Sequence, residues 1–216
     1  MGIGSMILSK VAKTVALDAA TTVYDKASEK VQKKTEKKIQ KYLQDDSAAV
    51  QLVVCNSRDT STKSYCVYDR NKNEKYQIKG KLSSRSPHLT IVDRNGNKLA
   101  SVKEKRIAFR SPLSLEEDPK DYILEIGGKK IGVIKSQDTR LLRKFEFCFN
   151  HWEVKGNVLK MQYVINNGKE IILTVNDRAP MEMNSDYDCY YLDIYRPENE
   201  LIGLAIATAL DIASTS

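Results

Sequence analysis

The chain is poor in the residues that most enzyme and metal chemistry depends on. Its 216 residues include only 2 His, 4 Cys, 1 Trp and 4 Phe. The histidines, His88 and His151, belong to no HExxH motif. No Gly-rich loop opens a helix, no Ser sits in a nucleophile elbow, and no paired-carboxylate motif appears. The expectation is a non-enzyme that needs no cofactor. Cys55, Cys66, Cys148 and Cys189 show neither CxxC spacing nor a neighbouring His pair, which argues against zinc. They read as free thiols of a reducing compartment. No apolar run reaches the roughly 20 residues a bilayer span needs. Met1–Leu8 lacks a basic leader, so no secretory signal is expected and the chain reads as cytoplasmic.

What is present is charge, unevenly placed. The net charge is +7, and residues 1–44 hold nine Lys against four acids. This arm, residues 1–46, reads as an amphipathic helix. After Gly4 it has no Gly or Pro, and Leu8, Val11, Val15, Ala19, Val23, Ala27 and Val31 recur at threes and fours. Beyond Val31 the stripe gives way to Lys33, Lys34, Lys37, Lys38 and Lys41. Such a helix suits reversible association with an anionic membrane surface. The alternative is a soluble interaction or regulatory protein that docks or self-associates through residues 6–44.

From Val50 the apolar period changes to two. Tyr76 and Ile78, Leu89 and Ile91, and Tyr122, Leu124 and Ile126 alternate with polar residues. So do Phe145, Phe147 and Phe149, then Leu159, Met161, Tyr163 and Ile165, then Ile171, Leu173 and Val175. These are half-buried antiparallel strands. Asp93-Arg-Asn-Gly-Asn97, Gly127-Gly128 and Asn166-Asn-Gly168 supply tight turns, and Asp69-Arg-Asn-Lys-Asn73 a looser one. Tyr76-Gln-Ile-Lys-Gly80 recurs as Trp152-Glu-Val-Lys-Gly156, each followed by a strand and an Asn-Gly turn. The β region therefore reads as two copies of one meander.

The chain ends on Leu201–Ala213, which is apolar on every side of a helix except at Asp211. Such a helix must be enclosed. Its Gly and Ala content implies narrow walls. The architecture expected for residues 47–216 is mainly β: a closed antiparallel barrel of about twelve strands around a central helix near residues 199–214. Asp211 reads as a structural carboxylate at the rim, satisfied by backbone donors or a Lys.

With these residues assembled, the chain resembles the LURP-one-related family, within the tubby C-terminal-like superfamily that also holds the phospholipid scramblases. The resemblance rests on Tyr76–Gly80 and Trp152–Gly156, the Asp93-x-Asn-Gly turn, Tyr122–Ile126, Ile131–Lys135, Tyr191–Ile194 and the closing Ala209-Leu-Asp211. It covers roughly residues 50–214 and implies the same barrel around a helix. It also implies a binding module, because tubby-like members bind phosphoinositides through basic side chains on the barrel wall. Lys79, Lys81, Arg85, Lys103, Lys105 and Arg106 lie in that region. The scramblase-like leader, cysteine cluster and calcium run are missing. Anionic lipid is thus the expected partner, a protein or second copy the alternative, and nucleic acid and metal are not expected.

Overall fold

A computed structural model describes residues 47–57, 64–81, 87–106, 120–139, 142–176 and 187–215. The N-terminal helical arm expected over residues 1–46 lies outside the described residues, as does Arg85.

Alternation of apolar and polar side chains produces twelve strands. They are β1 (Val50–Ser57), β2 (Ser64–Asp69), β3 (Glu74–Lys81), β4 (His88–Asp93), β5 (Lys98–Arg106) and β6 (Lys120–Ile126). Then come β7 (Lys129–Thr139), β8 (Leu142–Phe147), β9 (Glu153–Asn157), β10 (Gln162–Asn166), β11 (Ile171–Asn176) and β12 (Tyr187–Ile194). A 3-10 turn, Pro197–Asn199, leads into α1 (Glu200–Thr215).

All strands join one antiparallel sheet in the order β8-β7-β6-β5-β4-β3-β2-β1-β12-β11-β10-β9. Every ladder but one connects consecutive strands. The exception, β1 with β12, runs for eight residue pairs and joins the two ends of the β region. The barrel is nearly closed, where full closure was expected, because β8 and β9 end the order without a ladder between them. Aromatic packing occupies that gap. Asn150 and His151 turn the chain in the left-handed region, and Phe149 lies edge-on to Phe147 and tilted against Trp152 at 6.1 Å. Gly132 makes room, since a Cβ there would collide with the Phe149 ring.

The internal repeat is geometric as well as verbal. Offset by about the 76 residues that separate Tyr76 from Trp152, β1–β6 correspond to β7–β12. Gly80 lies opposite Leu89 and Gly156 opposite Tyr163. In both, a Cβ would strike the carbonyl oxygen of the next strand, His88 or Gln162 respectively. Only glycine lets the paired strands approach so closely. The β2–β3 ladder of the first copy has the unpaired β8 and β9 as its counterpart, so closure fails where the repeat is broken.

One expected strand feature is corrected. Leu159 and Met161 do not continue the alternation of β10; Leu159 is 63% exposed at a turn. The turn closes through Met161 N–H donating to the Val158 carbonyl and Lys160 N–H donating to Asn157 Oδ1. It contains no Gly, so periodicity ran through it unmarked.

The core is α1 and the inner face of the wall. Leu204, Ala205, Ile206, Ala207, Ala209 and Leu210 are fully buried, among Leu52, Val54, Ile78, Leu124, Ile134 and Leu173. Thr208 satisfies its buried hydroxyl by donating to the Leu204 carbonyl at 2.8 Å. The carboxylates that bound the apolar run each meet a wall tyrosine. Tyr76 donates to Glu200 at 2.8 Å, with Lys75 paired to the same carboxylate. At the far end Tyr65 donates to Asp211 at 2.5 Å. One donor to Asp211 is thus a phenol from β2, a partner that sequence reasoning did not name. Asp211 also raises the pKa of Tyr163 and Tyr190, although burial is the larger cause for both.

The cysteines are corrected too. Cys55 and Cys189 form a disulfide, whereas Cys66 and Cys148 are free thiols. The partners are 134 residues apart and meet only because β1 lies beside β12. No local spacing announces such a pair.

Candidate anion-binding wall

Because side chains alternate, β3 to β7 send one set of residues inward to α1 and the other outward. The outward set forms transverse rows. One runs Lys79, Thr90, Ser101, Glu125, Lys130 across five strands. The next runs His88, Lys103, Ile123, Val133. Below it come Lys105, Asp121 and Lys135. Three of the expected wall residues with described surroundings thus share this face: Lys79 and Lys105 are exposed, and Lys103 is partly so. Lys81 holds the register position opposite His88. Arg106 holds the register position opposite Lys120, two residues beyond Glu104 on β5. Lys33, Lys34, Lys37, Lys38 and Lys41 lie outside the described residues.

The wall has its own electrostatic order. Lys103 pairs with Glu125 at 2.8 Å, and Ser101 donates to the other oxygen of that carboxylate at 2.9 Å. The Lys103 hydrogen bond, with help from Ser101, lowers the Glu125 pKa. Lys79, Lys98 and Lys105 make no ion pair among the described residues. His88 lies directly opposite Lys103, and its pKa is lowered by partial burial and then by the positive fields of Lys103 and Lys98, with Glu125 opposing. Burial leads, and the two lysine fields add to it in the same direction. His88, Lys98 and Glu125 were not marked as wall residues by sequence reasoning, because rows across a sheet appear only once the register is known.

The face offers exposed ammonium groups at Lys79, Lys98 and Lys105 beside the Lys103–Glu125 pair.

A sequence profile of the LURP-one-related family matches residues 50–211, from the first strand to Asp211. The chain belongs to the LURP-one-related family. Among its relatives is the uncharacterized protein YxjI of Bacillus subtilis (strain 168), 27% identical over 146 residues, covering 68% of this chain and 82% of that one. A crystal structure of an Arabidopsis thaliana protein overlays with a TM-score of 0.46 at 12% identity, covering 77% of this chain and 93% of the other. Among the described residues no helix of this family member is long and apolar enough to cross a membrane.

Proposed function

We propose that this LURP-one-related protein is a non-catalytic binding module that recognises anionic lipid headgroups, phosphoinositides included, with the outer face of β3–β7. The observation that carries the reading is that the exposed Lys79, Lys98 and Lys105 stand on one sheet face with Lys103, around His88. Each lysine near an anionic surface contributes about 1 kcal/mol, within a Debye length of about 8–10 Å. Lys79, Lys98 and Lys105 therefore support weak, reversible and salt-sensitive binding, with the protein peripheral at the membrane. Lys33, Lys34, Lys37, Lys38 and Lys41 would add to it on the same terms.

Two measurements test the reading. Full-length protein should cosediment with vesicles containing phosphatidylserine or phosphoinositide at low salt, and much less with pure phosphatidylcholine. The triple variant Lys79→Gln/Lys98→Gln/Lys105→Gln should lose most of that binding and keep its fold. The sign of the pH effect follows from His88. A bound anion favours the imidazolium, so binding tightens as pH falls through the lowered His88 pKa, and saturating anion raises that pKa. A His88 resonance whose titration ignores anionic vesicles and soluble inositol phosphates alike would sink the proposal. Retained binding by the wall variant would move the site elsewhere, with substitution of the five arm lysines by Gln as the deciding comparison.

A further inference from the structure

The outer face of the barrel carries a second row with different chemistry. Cys55, within β1, lies directly opposite Cys189 on β12 and directly opposite Cys66 on β2. Three sulfur-bearing residues therefore sit side by side on adjacent strands, in one row perpendicular to the chain direction. Cys55 is 1% exposed and Cys189 8%, while Cys66 is half-buried. Cys55 and Cys189 cluster with Val53, against which Tyr68 and Tyr191 pack, apart from the main core.

We propose that Cys66, Cys55 and Cys189 form a thiol–disulfide relay in which Cys55 exchanges partners across the β1–β12 seam. Disulfide exchange proceeds by attack of a thiolate on one sulfur of the bond, with the other sulfur leaving. The attacking, central and leaving sulfurs must be close to collinear. A row across three strands supplies that order, with the free thiol of Cys66 on one side of the Cys55 sulfur and the bonded Cys189 on the other. The Cys55–Cys189 Cα separation is 4.1 Å, the close approach of a non-hydrogen-bonded pair. Cys55 and Cys66 are then the hydrogen-bonded pair, with Cα atoms about 5.5 Å apart, still within disulfide range.

The step balances without an oxidant. The Cys66 thiolate attacks Cys55 Sγ, the Cys55–Cys189 bond breaks, and the Cys55–Cys66 bond forms. Cys189 leaves as a thiolate and takes a proton from water. One disulfide and one thiol are present before and after. What changes is the place of the crosslink. With Cys189 it staples the first strand to the last, the one ladder in the sheet not made by consecutive strands. With Cys66 it lies within the β1–β2 pair and leaves the seam to hydrogen bonds alone.

The test is thiol mapping of the full chain without reductant. Samples are held at pH 6 to 9, quenched in acid, denatured, alkylated and digested, and the alkylated cysteines are identified by mass spectrometry. Wild type should show label on Cys66 and on Cys189, the Cys189 fraction approaching its limit about tenfold faster per pH unit until the thiol has ionised. Cys148, exposed beyond β8, should be labelled throughout and serves as the internal standard. Cys66→Ser should keep Cys189 unlabelled at every pH. Cys189→Ser, treated with glutathione disulfide, should yield a linked Cys55–Cys66 peptide. Label confined to Cys66 and Cys148 in wild type at pH 9 overturns the relay. So does Cys189→Ser that gives only glutathione adducts or intermolecular dimers while its circular dichroism stays native.

Discussion

At the scale of single residues, the Asp-x-Asn turns show how few atoms set a hairpin. Asp93 accepts from the N–H groups of Asn95 and Asn97 at 2.8 Å and from Asn97 Nδ2 at 2.9 Å. Asp69 does the same with Asn71 and Asn73. The turn read as looser is thus the same turn, except that Lys72 adopts φ 61° where Gly96 adopts 82°. A Cβ in the left-handed region costs about 1–2 kcal/mol, partly offset by the entropy glycine loses on folding. Lys72→Gly should therefore stabilise by about 0.5–1 kcal/mol, read as a higher urea midpoint at unchanged slope. Both carboxyls have pKa values lowered by these bonds, the Asn97 side chain leading for Asp93 and the Asn73 backbone for Asp69. A lowered folded pKa gives stability that is present above the unfolded pKa of about 3.9 and is lost as pH falls through the folded value. Asp93→Asn should flatten the acid limb of the stability curve below pH 4 and leave its slope near neutrality unchanged.

At the scale of elements, the helix was legible and its fastenings were not. An apolar run ringed by small residues declares enclosure, and Ala205, Ala207 and Ala209 are indeed fully buried. The alternation placed most inner-face residues as well, from Ile78 to Val175. What alternation does not encode is which strand lies beside which. The pairing of Tyr65 with Asp211, the Cys55–Cys189 bond and the lysine rows all depend on register between distant segments. This division leads to a paired prediction. Tyr65→Phe removes a donor from Asp211 in a part-buried setting and should destabilise by about 1–3 kcal/mol. Tyr163→Phe, at a fully buried hydroxyl with no hydrogen-bond partner among the described residues, should be neutral or slightly stabilising. Equal losses for the two in thermal unfolding would mean that burial of the ring, and not the hydroxyl, governs both. Ala207→Asp, by contrast, puts an unpaired charge and extra volume against the walls and should abolish the cooperative melt.

At the scale of the whole molecule, the barrel is a ribbon of twelve strands whose shape depends on two junctions. One, β8 beside β9, has aromatic packing and no ladder; the other, β1 with β12, has a full ladder and a disulfide. In the chain-entropy view, a crosslink stabilises by removing conformations from the unfolded state, and more so for longer loops. A loop of 134 residues corresponds to about 5 kcal/mol on that scale. The loop from Cys55 to Cys66 spans 11 residues and corresponds to about 3 kcal/mol. Three species should therefore rank in melting temperature. Oxidised Cys66→Ser, locked with Cys189, should lie highest, oxidised Cys189→Ser, locked with Cys66, in the middle, and reduced protein lowest. The first gap, about 2 kcal/mol, amounts to about 4–8 °C for a chain of this size. Hydrogen exchange should place the difference in β1 and β12, because the middle species keeps its crosslink and loses only the seam. Coincident melts for the two oxidised variants would show that the β1–β12 ladder holds the ends of the ribbon together without covalent help, and that stability is set at the aromatic junction instead.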